Sequence, residues 1–74
     1  MDFDQAALTV LREEGGPLHW TMVQNLALRR GYLDPFVQRD IRKHLLAALA
    51  AAVKDGRVTK VDTGVYALAE GPVA

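Results

Sequence analysis

The sequence contains no cysteine and no serine. Without cysteine there are no disulfides and no thiolate metal ligands, so nothing covalent staples the chain. Without serine the hydroxyl and thiol nucleophiles reduce to four threonines and two tyrosines, which argues against nucleophilic catalysis. Aromatic residues are scarce: Phe3, Trp20, Tyr32, Phe36 and Tyr66 are the whole set. Neither charge sign is in excess, because nine Lys and Arg residues face nine carboxylates, and this balance speaks against a strong, indiscriminate polyanion binder. Long apolar runs are also missing. The longest, Leu45 to Val53, has nine residues, where a membrane helix needs about 20. The first residues carry Asp2 and Asp4 where a signal peptide would carry basic charge. These absences together lead to the expectation of a cytoplasmic, non-enzymatic protein with no membrane segment, no metal, no cofactor and no small-molecule substrate.

What remains is apolar packing on a small scale. Seventy-four residues make one domain, and at this size folding buries only about 60 % of the surface of the unfolded chain. Eleven alanines, ten leucines and eight valines supply the core, and 24 % charged residues supply the surface, a balance that fits a folded helical or mixed domain. Charge is unevenly placed along the chain. Residues 1–28 hold Arg12 against Asp2, Asp4, Glu13 and Glu14; residues 29–60 hold eight cations against Asp34, Asp40 and Asp55. The middle is therefore basic and the ends acidic, and a functional reading has to explain that middle.

Local patterns divide the chain into five elements. Asp2 to Glu14 reads as a helix, with Asp2 or Asp4 as N-cap and Phe3, Ala7, Leu8 and Leu11 on one stripe, stopped by Gly15-Gly16-Pro17. Leu18-His19-Trp20 is long enough for one short strand only. Thr21 with Gln24 is a capping-box pattern that opens a second helix, closed by Arg29, Arg30 and Gly31. Asp34-Pro35 opens a third helix that the pattern carries to Lys54 after a very short connection, although Asp40 offers a second capping point and a break there. Its stripe is Val37, Ile41, Leu45, Ala48 and Ala52. Arg57 to Val61 and Val65 to Leu68 then alternate as strands around Asp62-Thr63-Gly64, a loop suited to a hairpin with a left-handed glycine and a bulge. Two strands alone are marginal, and 18–20 can add the third. The expected domain is 1–69, followed by a flexible tail over 70–74.

The order helix, strand, helix, helix, hairpin is that of a winged helix-turn-helix, an α+β fold with three helices and a small two- or three-stranded antiparallel sheet. The residues extend the likeness. Ala7-Leu8 and Leu11, Pro17-Leu18-His19-Trp20, Gly31-Tyr32-Leu33 and Gly64-Val65-Tyr66-Ala67-Leu68 occur in the order shown by the HARE-HTH family, which this chain resembles over about residues 2–69. The chain departs from that family mainly in the expected short connection between the second and third helices. The resemblance implies a winged-helix module of chromatin, restriction or transcription proteins, usually taken as DNA-binding. It also includes the N-terminal domain of the bacterial RNA polymerase delta subunit, which is associated with the polymerase, so contact with DNA and contact with protein both stay open.

A recognition helix enters the major groove by its N-terminal half, which directs attention to Gln38, Arg39, Arg42 and Lys43. Arg39, Arg42 and Lys43 fall at i, i+3, i+4 on the side away from the apolar stripe, a pattern that serves either double-stranded DNA or a merely solvated face. Arg57 and Lys60 lie on the hairpin, where a wing touches the DNA backbone. Arg29-Arg30 is read as a structural pair that complements the dipole of its own helix. Leu46 and Ala50 continue the basic face in apolar form, which suits a protein partner or a homodimer better than DNA. His19 is read as a structural hydrogen-bonding residue. His44 flanks the core stripe as a half-buried residue and sits four positions after Asp40, with no serine or cysteine to activate. Trp20 and Tyr66 are assigned to the core, and Phe36 falls off the stripe of its helix.

Overall fold

The computed structural model describes residues 1–69, so the tail expected over 70–74 lies outside the described residues. Helix α1 is Phe3–Glu14, capped by Asp2, whose carboxylate accepts from the Gln5 amide at 2.8 Å. Its buried residues are Ala6, Ala7, Val10 and Leu11, with Phe3 and Leu8 at the margin. The stripe is thus turned slightly from the expected one.

Strand β1 is Leu18–His19, and helix α2, Trp20–Arg29, follows without a gap. The strand therefore stops one residue earlier than expected, and Trp20 opens the helix. Its cap is His19 rather than Thr21: pairing in the sheet holds His19 extended, and its Nδ1 accepts from the Thr21 amide at 3.3 Å and lies 2.8 Å from Thr21 Oγ1. This is the structural role expected of His19, filled by an imidazole in place of the usual hydroxyl. At the other end the amides of Tyr32 and Leu33 both return to the Ala27 carbonyl, at 2.9 and 3.3 Å, and Leu33 turns into the core.

The third helix does not run on from Pro35; it takes the break that Asp40 offered. Helix α3 is Ile41–Lys54, and the connection from α2 occupies residues 30–40, so it is not short. The Asp34-Pro35 signal is spent on a single turn, in which Asp34 Oδ1 accepts from the Phe36 amide at 2.9 Å. The Gln38 side chain then folds back to Asp34 N at 2.8 Å and Met1 O at 2.9 Å, and Asp40 breaks the path with φ 52°. Val37, expected in the core stripe, is consequently 77 % exposed. Ile41, Leu45, Ala48 and Ala52 keep their inward positions, joined by Leu49.

Strands β2, Val58–Asp62, and β3, Val65–Leu68, form the hairpin, and β1 adds to its free side in the antiparallel order β1-β3-β2. The register slips between Lys60 and Asp62, and Gly64 sits at φ 72°, the bulge and left-handed residue that the loop sequence foretold. Three helices and a three-stranded antiparallel sheet give the chain the winged helix-turn-helix arrangement, with β2–β3 as the wing.

Leu11, Leu33, Leu45, Leu49, Val10 and Val23 are the largest fully buried side chains, each worth about 1.5–3 kcal/mol of transfer free energy. Val58 and Tyr66 bring the sheet into this cluster. Trp20, assigned to the core by its size, is only half-buried. Leucine, valine and alanine already fill the centre, and Tyr66, 7 % exposed, is the aromatic that enters it.

Candidate nucleic-acid interface

Helix α3 presents Arg42, Lys43, Ala47, Ala50, Ala51 and Lys54 to solvent and buries the opposite side. Leu46, placed by sequence on the outer face, is partly covered, whereas Ala50 is exposed as expected. The N-cap Asp40 makes no side-chain capping bond. The first-turn amides of Ile41, Arg42 and Lys43 have no protein acceptor among the described residues, and the carbonyl of Asp40 takes the amide of His44 at 3.0 Å. Free amides and the positive end of the helix dipole therefore lie in the same stretch of chain as Arg39, Arg42 and Lys43. Asp40 subtracts one charge from that group.

Not all of the residues singled out by sequence belong to this cluster. Gln38 and Arg39 precede the helix instead of lying on it. Gln38 is engaged at both ends of its amide, with Asp34 and with Met1, so it is a structural clamp. Arg39 is exposed, and its carbonyl lies 2.9 Å from His44 Nδ1. His44 is exposed, not half-buried, and its ring lies 5.2 Å from that of Phe3. The i, i+4 relation of Asp40 and His44 is a backbone bond, not a side-chain pair.

On the hairpin the two cations part company. Arg57 stands at its base, where its guanidinium lies 3.1 Å from Asp55 and 4.0 Å from Asp4. These carboxylates already share its charge. Lys60 is exposed, opposite Tyr66 in the register, with no ion pair among the described residues.

Sequence reasoning missed Trp20 as part of this surface. Its ring lies under the Arg42 guanidinium, 5.5 Å from centroid to Cζ, and its amide donates to the Gly64 carbonyl at 2.9 Å. Trp20 therefore ties the first turn of α3 to the turn of the wing. The spacing of Trp20 and Arg42 in sequence carries no signal for this contact.

Glu13 and Glu14 are engaged elsewhere. Arg30 donates to Glu13 at 2.8 Å and to Glu14 at 2.7 Å, and the Tyr32 hydroxyl donates to Glu13 at 2.6 Å. The hydrogen bond to Glu13, followed by desolvation, raises the Tyr32 phenol above its ordinary value. Arg30 is thus a structural cation, with carboxylates of α1 as its partners. Among the described residues no group of three His, Asp or Glu side chains is placed to hold a metal, and no helix is long and apolar enough to cross a membrane. No family model, no curated protein and no solved structure matches this chain.

Proposed function

We propose that this chain is a DNA-binding winged-helix module, with the first turn of α3 directed into the major groove and the wing beside it. One observation carries the reading: Arg39, Arg42 and Lys43 lack ion-pair partners among the described residues and belong to the same stretch of chain as three free helix amides. Phosphate suits such a site, since the amides donate to its oxygens while the cations neutralise it. Arg42 and Lys43, with Lys60 on the wing, are the contacts we assign; Arg39 joins them from the connection. Gln38 and Arg57 leave that set because their side chains are engaged within the chain. Binding, not catalysis, is the activity proposed, with double-stranded DNA as partner and the cytoplasm as location. The ordered motifs Pro17-Leu18-His19-Trp20, Gly31-Tyr32-Leu33 and Gly64-Val65-Tyr66 support a place in the HARE-HTH family.

A second reading is favoured by the outer face of α3 beyond its first turn. Ala47, Ala50 and Ala51 are exposed and Leu46 borders them, which gives a small apolar surface suited to a protein partner or a second copy. The two readings place contact at different ends of one helix. Titration of the 15N-labelled protein with a short duplex separates them: amide shifts over residues 39–44 and 60–65 are expected, with 46–51 little changed. Shifts confined to other surfaces, or none at low salt, refute the DNA reading.

A further inference from the structure

Arg30, Arg57 and Arg42 are each held in place, but not in the same way. Arg30 commits its N–H groups to Glu13 and Glu14 at 2.8 and 2.7 Å, and Arg57 lies 3.1 Å from Asp55 and 4.0 Å from Asp4. Arg42 has no ion pair among the described residues. Its guanidinium sits over the Trp20 ring, 5.5 Å from the centroid. Stacking engages the flat face of a guanidinium and leaves the N–H groups along its edge free to donate. Arg42 is therefore oriented with its donors still open.

The ring that orients Arg42 is itself fixed. Trp20 follows β1 directly into α2, and its amide donates to the Gly64 carbonyl at 2.9 Å. Its Cδ1 lies 3.3 Å from the place a Cβ on Gly64 would take, and the rest of the half-buried ring packs against the core. The amide bond belongs to the main chain, so it survives replacement of the indole. An arginine that is free in solvent loses rotamer freedom when it meets a ligand, whereas a stacked one has lost part of it beforehand. The gain cannot exceed the stacking itself, which at an exposed site amounts to about two- to fivefold in affinity.

We infer that Trp20 is a positioning residue for DNA binding, acting through Arg42, whose N–H edge it holds open to acceptor oxygens of the duplex. This rests on the DNA reading, and its test is built to fail separately. Fluorescence anisotropy with a labelled duplex at low salt would compare the native protein with Trp20→Leu, Trp20→Phe, Arg42→Ala and the pair Trp20→Leu with Arg42→Ala. Trp20→Leu should weaken binding by about two- to fivefold, and Trp20→Phe, which keeps a ring face, should recover most of that loss. On the Arg42→Ala background Trp20→Leu should change nothing, whereas a merely structural tryptophan would cost the same affinity with or without Arg42. If circular dichroism shows Trp20→Leu unfolded, Trp20→Phe takes its place in the cycle, with a smaller loss expected on the native background and none on Arg42→Ala. Proton NMR of the free native protein gives a reading independent of any variant: the indole ring current should move the Arg42 δ-methylene protons upfield. Random-coil shifts for those protons, or equal losses on the two backgrounds, overturn the inference and leave DNA binding standing. Absence of duplex binding by the folded native protein overturns both.

Discussion

Gly64→Ala should be among the most damaging single substitutions on the surface of this protein, and the structure says by how much. Gly64 has φ 72°, and an alanine held in that left-handed conformation costs about 1–2 kcal/mol. A Cβ there would also lie 2.8 Å from His19 Nε2, 3.2 Å from His19 Cδ2 and 3.3 Å from Trp20 Cδ1. The imidazole cannot retreat freely, because its Nδ1 caps α2 through Thr21. Loss of a helix cap costs about 0.5–2 kcal/mol, so the combined penalty is about 1.5–4 kcal/mol. Gly56 provides the control: its φ is 81°, with nothing within 4 Å of the place a Cβ would take, so Gly56→Ala should carry the backbone cost alone. Thermal melts followed by circular dichroism should show Gly64→Ala lower than Gly56→Ala by several degrees, since 1 kcal/mol moves the Tm of a domain this size by about 4–8 °C. A double-mutant cycle isolates the clash. His19→Ala removes both the cap and the obstacle, so Gly64→Ala should cost less on that background than on the native one. Equal losses at Gly64 and Gly56, or strict additivity with His19→Ala, would refute the packing of the wing turn against the capping histidine.

Two further effects follow from burial and from titration. Leu45 has no exposed surface, so Leu45→Ala should lose about 2–5 kcal/mol, read from urea unfolding, and in so small a domain most of the folded population goes with it. The Tyr32 phenol is raised by its bond to Glu13 from an unfolded value of 10.0, so the stability that bond supplies is complete below that pH and is lost as pH rises through the folded value. Melting curves of the native protein and Tyr32→Phe should therefore differ at neutral pH and converge in strong alkali; a gap that widens there would contradict the assignment.

The parts of this fold legible in the sequence are those encoded by neighbours. Asp2 caps α1 and Asp62-Thr63-Gly64 turns the hairpin through contacts within a few residues. The start of α3 was legible only as the alternative offered by Asp40, and what decides between the two starts is the opposite kind of contact. Asp34-Pro35 carries a sound helix-start signal, but Gln38 answers to Met1, thirty-seven residues away, and the terminal amine of Met1 also donates to Tyr32 O at 2.9 Å. Those long-range bonds hold residues 34–38 as a separate turn and leave Phe36 and Val37 outside. Trp20 illustrates the same limit at the candidate site. Its size suggested the core, while its partners, Arg42 and Gly64, come from two distant elements and place it at the junction of helix and wing. Arg39, Arg42 and Lys43 were legible as a basic group; the engagement of Gln38 and Arg57 within the chain was not, because it depends on residues brought close only by folding.

The salt dependence of duplex binding tests the central claim most directly. Contact with about three to five phosphates predicts that log affinity falls against log salt concentration with a slope near −3 to −4. Arg42→Ala with Lys43→Ala should make that slope shallower by about 2 and lower the Tm by a few degrees, the loss of an exposed Arg42–Trp20 contact worth about 0.5–1 kcal/mol. A folded native protein that binds no duplex at low salt, or a double variant with the native slope, would contradict the account.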